Sequence, residues 1–263
     1  MKVAMVQMNV IAGDVAGNKD KGLTLISQAA RKAEVVVLPE IWTIGYALKN
    51  VAQAAETMDG SLVTQMAAIA RDNGVNIVAG SIPLKVDNHI YNSAIIIDRQ
   101  GTVVASYDKV HLFSLYGEER FFAPGTRLGL FALGDLNAGV GICYDLRFPE
   151  LFRSLALQGA QVVFVPAEWP AARGGHWRTL IQARAIENHI YVCAVNCVGE
   201  HRGGPFYGHS LLVGPEGEVV AEGSDQEAII YGEIDLARVS EARKNMPTFT
   251  DRRPDIYWKG LNQ

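Results

Sequence analysis

Short runs that are apolar at almost every position, among them Val35–Leu38, Asn76–Ala79 and Val162–Val165, recur along this chain and restrict what it can fold into. A strand with one wet face alternates apolar and polar residues, whereas an unbroken apolar run needs cover on both faces. Between these runs lie segments of helical period, including Leu62–Ala70 and Trp177–Ile186. The chain therefore reads as α/β, with sheets that carry helices.

A self-comparison sharpens this. Residues 60–105 can be laid on 176–221 without a gap, and Tyr91–Ala105 then falls on Tyr207–Ala221, each reading as strand, Gly-containing turn, strand. Earlier, the run ending in Leu38-Pro39-Glu40 has a counterpart ending in Val165-Pro166-Ala167-Glu168. If each half supplies a sheet with helices on one side, packing the bare faces together gives a four-layer α-β-β-α sandwich of two related halves. The plainer alternative is coincidence among common hairpin sequences.

With 263 residues, 49% hydrophobic and 20% charged, the chain has material for one large core and no linker, so 1–263 is expected to be a single domain. A net charge of -4 speaks against a nucleic-acid partner, which needs a concentrated basic surface. The start, Met1–Gln7, holds one cation and a short apolar run, unlike a secretory signal or a membrane span. A cytoplasmic protein with no membrane partner is the default expectation. Three cysteines suggest a reducing compartment rather than a disulfide framework. Cys193 and Cys197 lie four apart in a strand-like run, a separation of roughly 13 Å that prohibits a direct disulfide, and are read as core.

Asn137–Pro149 reads as a strand, a turn at Cys143, and a helix opened by Pro149. That places the Cys143 thiol before backbone N–H groups at a helix start, a setting that favours a thiolate. A buried core cysteine fits the turn equally well. A nucleophile needs a base, either one of the six histidines or an acid at another strand end. Glu40, directly after Val35–Pro39, is an acid held at the rim of a buried strand, where desolvation raises its pKa toward that of a useful base. Lys109 ends a third apolar run and, with the Tyr144 N–H, is placed to stabilise an oxyanion. Taken singly, Glu40 and Lys109 also read as ordinary solvated charges. Taken together, three strand ends of complementary chemistry on one rim of an α/β sheet point to a shared crevice.

Leu38–Trp42, Tyr107–Phe113 and Gly141–Glu150 closely resemble the three signature segments of the nitrilase (carbon–nitrogen hydrolase) superfamily, in order and in spacing. The resemblance spans nearly the whole chain, including Trp177–Asn188 and the Gly208-His209-Ser210 hairpin. It implies the four-layer sandwich, Cys143 as nucleophile, Glu40 as general base and Lys109 as oxyanion partner. It also implies a second glutamate after the lysine segment, best matched by Glu118, with Glu119 as the fallback. No cofactor and no metal is implied. Histidine is outside that set, so His111 and His209 are read as structural, the latter as a strand residue.

Within the superfamily the chain looks most like the ω-amidase branch, which hydrolyses the terminal amide of small 2-oxo acids such as 2-oxoglutaramate. Arg173, in the segment Pro166–Trp177, then pairs with a substrate carboxylate beside an apolar wall formed by Trp169, or is simply a surface cation. A nitrilase, an N-carbamoyl-amine hydrolase and an acyl transferase share the same acyl-enzyme chemistry, and a binding protein without turnover is a further reading. The resemblance also suggests a homodimer, and the aromatic content of Arg243–Trp258 suggests that the segment from about 240 to 263 docks on its own domain or a partner.

Overall fold

The computed structural model describes residues 1–201 and 203–257. The first half runs β1 (Lys2–Gln7), α1 (Val15–Ala30), β2 (Val35–Val37), a short α2 (Val51–Ala54), α3 (Ser61–Asn73), β3 (Asn76–Val86), β4 (His89–Ile97) and β5 (Val103–Asp108). The second runs β6 (Gly129–Leu133), β7 (Leu136–Val140), α4 (Pro149–Leu157), β8 (Val162–Ala167), α5 (Gly174–Asn188) and β9 (Tyr191–Asn196). A small ribbon of β10 (Glu200–His201) and β11 (Gly204–Pro205) precedes β12 (Leu211–Val213) and β13 (Val219–Glu222). The described chain closes with β14 (Ala228–Glu233), α6 (Leu236–Asn245) and α7 (Pro254–Tyr257).

Two six-stranded mixed sheets result, ordered β14-β1-β2-β3-β4-β5 and β6-β7-β8-β9-β12-β13. They pack into the α-β-β-α sandwich, and the repeat is visible in their topology: α3-β3-β4-β5 corresponds to α5-β9-β12-β13. In each sheet three parallel strands are central, β1-β2-β3 and β7-β8-β9. Beyond β3 and β9 lie the antiparallel strands β4 and β12, and on the opposite flank the antiparallel edge strand is β14 in one sheet and β6 in the other. The equivalent edge thus comes from mid-chain in one half and from near the C-terminus in the other.

Alternation along each strand separates the layers. Val3 and Met5 of β1 and Val35 and Val37 of β2 join the core that spans both sheets, with Val140, Val163 and Phe164. Ala4, Val6, Val36 and Leu38 point the other way, into the core that holds Ile26 of α1 and Met66 of α3. Both faces are buried, which is why Val3–Val6 and Val35–Leu38 carry no polar residue; each fully buried Val or Leu contributes roughly 1.5–3 kcal/mol. Pro149 opens α4 as the sequence suggests; Asp14 accepts a hydrogen bond from the Gly17 N–H at the start of α1, and Gly74, with φ 63°, ends α3.

Cys193 and Cys197 are buried free thiols. His209 lies just before β12, not in a strand, with φ 47°. Toward the C-terminus, α6 buries Val239 and Ala242, and Phe249 packs against the central core with the guanidinium groups of Arg153 and Arg243 over its ring. Ile256 and Tyr257 are each 48% exposed, and Trp258 and the residues after it lie outside the described residues. Among the described residues no helix is long and apolar enough to cross a membrane.

Candidate active site

Four strand ends meet at one rim. Glu40 follows β2, Lys109 follows β5, Cys143 follows β7 and Glu168 follows β8. The side chains of Glu40, Lys109 and Glu118 are fully buried.

Lys109 Nζ donates to Glu40 Oε1 at 2.7 Å and to Glu118 Oε1 at 2.9 Å. An ammonium has three N–H donors, so one remains for a third acceptor. Glu40 Oε1 also accepts from Asn92 Nδ2 at 2.9 Å, and its Oε2 accepts from the Glu168 N–H at 3.1 Å. Glu118 accepts from the Tyr46 hydroxyl and, through Oε2, from the Phe113 N–H at 2.9 Å. Glu118 is therefore the acid that reaches the lysine, whereas the Glu119 side chain is 51% exposed.

Cys143 has φ 45°, a left-handed conformation uncommon away from Gly, Asn and Asp and frequent at functional sites. Asp145, fully buried, braces the turn. Its Oδ2 accepts from the Ile142 N–H and the Tyr107 hydroxyl, each at 2.7 Å. Its Oδ1 accepts from the His111 N–H at 3.1 Å and lies 2.7 Å from His111 Nδ1. His111 stacks on Phe148 at 3.6 Å between ring centroids. It thus belongs to the brace.

The expected helix start at the thiol is not what the fold provides. Residues Cys143–Arg147 form a short 3-10 stretch, and α4 begins only at Pro149. Without a long helix aimed at the sulfur, no macrodipole favours a thiolate. Burial, then the negative charge of Glu40, push the Cys143 thiol well above its usual range, although Lys109 pulls the other way. Burial likewise raises Glu40 above the ordinary carboxylate range against the pull of Lys109. Burial disfavours a charged Lys109, but the charges of Glu118 and Glu40 outweigh it and hold the ammonium protonated. Glu40 is the carboxylate whose charge acts most strongly on the Cys143 thiol, an acid placed to exchange a proton with the sulfur.

Above the thiol lies a pocket with about 320 Å³ of empty space, lined by Tyr46, Cys143, Tyr144, Arg147, Glu168, Trp169 and Arg173, among others. Trp169 donates its Nε1–H to the Arg173 carbonyl at 2.8 Å, and the Arg147 guanidinium sits 4.7 Å from its ring centroid. Burial, then the nearby charge of Arg173, hold Arg147 below its ordinary pKa. The sequence had pointed to Trp169, Arg173 and Tyr144, and all three line this pocket. It had not pointed to Tyr46, Asn92, Asp145, Arg147 or a role for Glu168. Only Glu168 left a trace, as the repeat's counterpart of the Glu40 segment. Among the described residues no group of three or more His, Cys, Asp or Glu is arranged to hold a metal ion.

A carbon–nitrogen hydrolase family model matches residues 2–244. The chain belongs to the carbon–nitrogen hydrolase family. It is 39% identical to the 2-oxoglutaramate amidase of Bacillus subtilis (strain 168), over 97% of this chain and 98% of that one. It is 31% identical to human omega-amidase NIT2, over 97% and 96%. Among solved structures it resembles Saccharomyces cerevisiae Nit3, a member of branch 10 of the nitrilase superfamily, with a TM-score of 0.88 at 31% identity, covering 96% of each chain. It also resembles a mutant amidase from Nesterenkonia sp. AN1 that carries the acetamide moiety of fluoroacetamide covalently on its active-site cysteine. There the TM-score is 0.86 at 27% identity, over 99% of this chain and 97% of that one. As a family member with these relatives, the chain is an amidase.

Proposed function

We propose that this amidase hydrolyses the ω-amide of a 2-oxo dicarboxylate monoamide such as 2-oxoglutaramate, with Cys143 as the covalent nucleophile. The observation that carries the substrate class is the pair Arg147 and Arg173 on the pocket that holds Cys143. Neither has a carboxylate partner among the described residues, and two unneutralised guanidinium groups beside an apolar wall suit an anionic tail. The named activities of the Bacillus subtilis and human relatives support the same reading.

In this mechanism Glu40 takes the thiol proton as the Cys143 Sγ–carbon bond forms. The remaining Lys109 N–H and the Tyr144 N–H hold the oxyanion, while Glu118 keeps Lys109 in place. The C–N bond then breaks, with the proton on Glu40 passing to nitrogen, and ammonia leaves. A water gives a proton to Glu40 while its oxygen bonds to the acyl carbon. The C–S bond breaks as that proton returns to sulfur. Of the residues named, Glu40, Lys109 and Glu118 are already joined by hydrogen bonds.

The test is ammonia release from 2-oxoglutaramate, succinamate, glutamine, an N-carbamoyl amino acid and a simple nitrile. Release confined to the nitrile or the carbamoyl compound would overturn the substrate assignment. For the arginines, Arg147→Met and Arg173→Met are expected to lower kcat/KM for 2-oxoglutaramate by about 10- to 100-fold each, the range for a charge-assisted contact. They should leave a neutral amide such as propionamide within about 3-fold, because a tail without charge gains little from either cation. Equal losses on both amides would show that the arginines shape the pocket and do not read the carboxylate.

The assembly we propose is one domain of residues 1–263 acting as a homodimer, in which the exposed apolar side chains of Ile256 and Tyr257 are covered by the partner. Light scattering at micromolar concentration is expected to give twice the monomer mass; a monomer would overturn it. We place the enzyme in the cytoplasm, where reducing conditions keep a nucleophilic thiol free.

A further inference from the structure

Glu168 has no part in the mechanism above, yet it is 2% exposed and lines the Cys143 pocket. Both of its carboxyl oxygens are buried without a hydrogen-bond partner. Burying such a group unpaired costs about 1–3 kcal/mol, and an unsatisfied side chain of this kind in a native site calls for an explanation. Its backbone is part of the catalytic wall, since its N–H holds Glu40 Oε2 and the Glu40 N–H meets the Ala167 carbonyl at 3.5 Å.

Burial, then the charge of Glu40, push the Glu168 carboxyl far above the usual range. In either protonation state the carboxyl group has an acceptor oxygen to offer. The charges that act on it are those of Glu40, Lys109 and Glu118, which places it at the reacting end of the pocket. Arg147 and Arg173 line the same pocket and are half-buried.

A primary amide brings one acceptor oxygen and two N–H donors. The oxyanion donors take the oxygen, and Glu40, which returns a proton to nitrogen, faces one N–H. The second N–H needs an acceptor where it meets the buried wall of the pocket. We infer that Glu168 is that acceptor, a specificity-determining residue that binds the carboxamide N–H and selects primary amides over esters of the same acid. The inference rests on the amidase reading above.

Glu168→Leu and Glu168→Gln separate the possibilities, assayed on 2-oxoglutaramate and on the corresponding ω-methyl ester. Both substrates give the same acyl-enzyme, so kcat/KM compares only its formation. With an acceptor lost, Glu168→Leu should lower kcat/KM for the amide by about 10- to 100-fold and leave the ester within about 3-fold. Glu168→Gln, which keeps an acceptor oxygen, should stay within about 5-fold of wild type on both. Because an unpaired polar group gives way to an apolar one, Glu168→Leu should also raise Tm by about 2–6 °C. Equal losses on amide and ester, or an unchanged amide rate, would overturn the inference while wild-type turnover of both leaves the amidase reading intact. Wild-type protein that turns over neither substrate would overturn the amidase reading and the inference with it. Should Glu168→Leu fail to fold, Glu168→Ala removes the same acceptor and is read on the same two substrates.

Discussion

Cys143→Ala is the substitution expected to cost most activity: ammonia release from 2-oxoglutaramate should fall by at least about 10⁵-fold, the scale seen when a nucleophile that acts as part of a unit is removed. No other thiol can replace it, since Cys193 and Cys197 are fully buried and pushed above the ordinary thiol range by that burial. Tm should stay within about 3 °C, because the change deletes one sulfur atom at a position whose left-handed backbone alanine tolerates no worse than cysteine. The paired measurement is mass spectrometry after mixing with substrate. Wild type should show an added acyl group at short times and the variant none. Turnover that survives in the variant would remove Cys143 from the chemistry and return the other reading of that turn, a buried core cysteine.

Lys109→Met is expected to have the largest effect on stability. The ammonium is the cation shared by two fully buried carboxylates, and removing one partner of a buried pair typically costs about 3–5 kcal/mol because the other is left uncompensated. The pH dependence of the loss follows from the sign of the shift. Burial already raises Glu40 against the pull of Lys109; without the lysine its folded-state pKa lies further above the unfolded value, so it binds more protons folded than unfolded. Stability is then greatest below about pH 4.5 and falls as pH rises toward the folded values. Denaturant melts should therefore show a deficit relative to wild type that is small near pH 4.5 and grows toward pH 8. A deficit that did not change with pH would mean that methionine disturbs packing and leaves no charge unpaired. Activity should be lost at every pH, because the third N–H of Lys109 goes with the side chain.

Both results depend on a network assembled from distant parts of the chain. Lys109 and Glu40 are 69 residues apart, Asn92 and Glu40 are 52 apart, and the Glu168 N–H reaches Glu40 across 128. Strand ends made three of the main positions legible, since a charged residue immediately after an apolar strand must emerge at the sheet rim. Asp145 was not legible, although it lies two residues beyond the cysteine, because a carboxylate in a turn looks the same whether it braces backbone N–H groups or faces water. The activation of Cys143 was misread for a related reason. A strand followed by a helix opened by Pro149 does not reveal the 3-10 stretch between them, and that stretch moves the helix start away from the sulfur.

The amino-acid sequence by itself determined the layers of this protein, because burial on both faces leaves Val3–Val6 of β1 and all of β2 apolar and the repeat dictates matching sheets. It also singled out Glu40, Lys109 and Cys143 as three strand ends of complementary chemistry, and the fold brings these ends to one rim. Only the tertiary structure put Glu118 and not Glu119 against Lys109, brought Arg147 beside Arg173 and left the Glu168 carboxyl without a partner. The physical reason is that these outcomes are set by which surfaces close on one another across two sheets, and a contact between distant residues leaves no period in the chain.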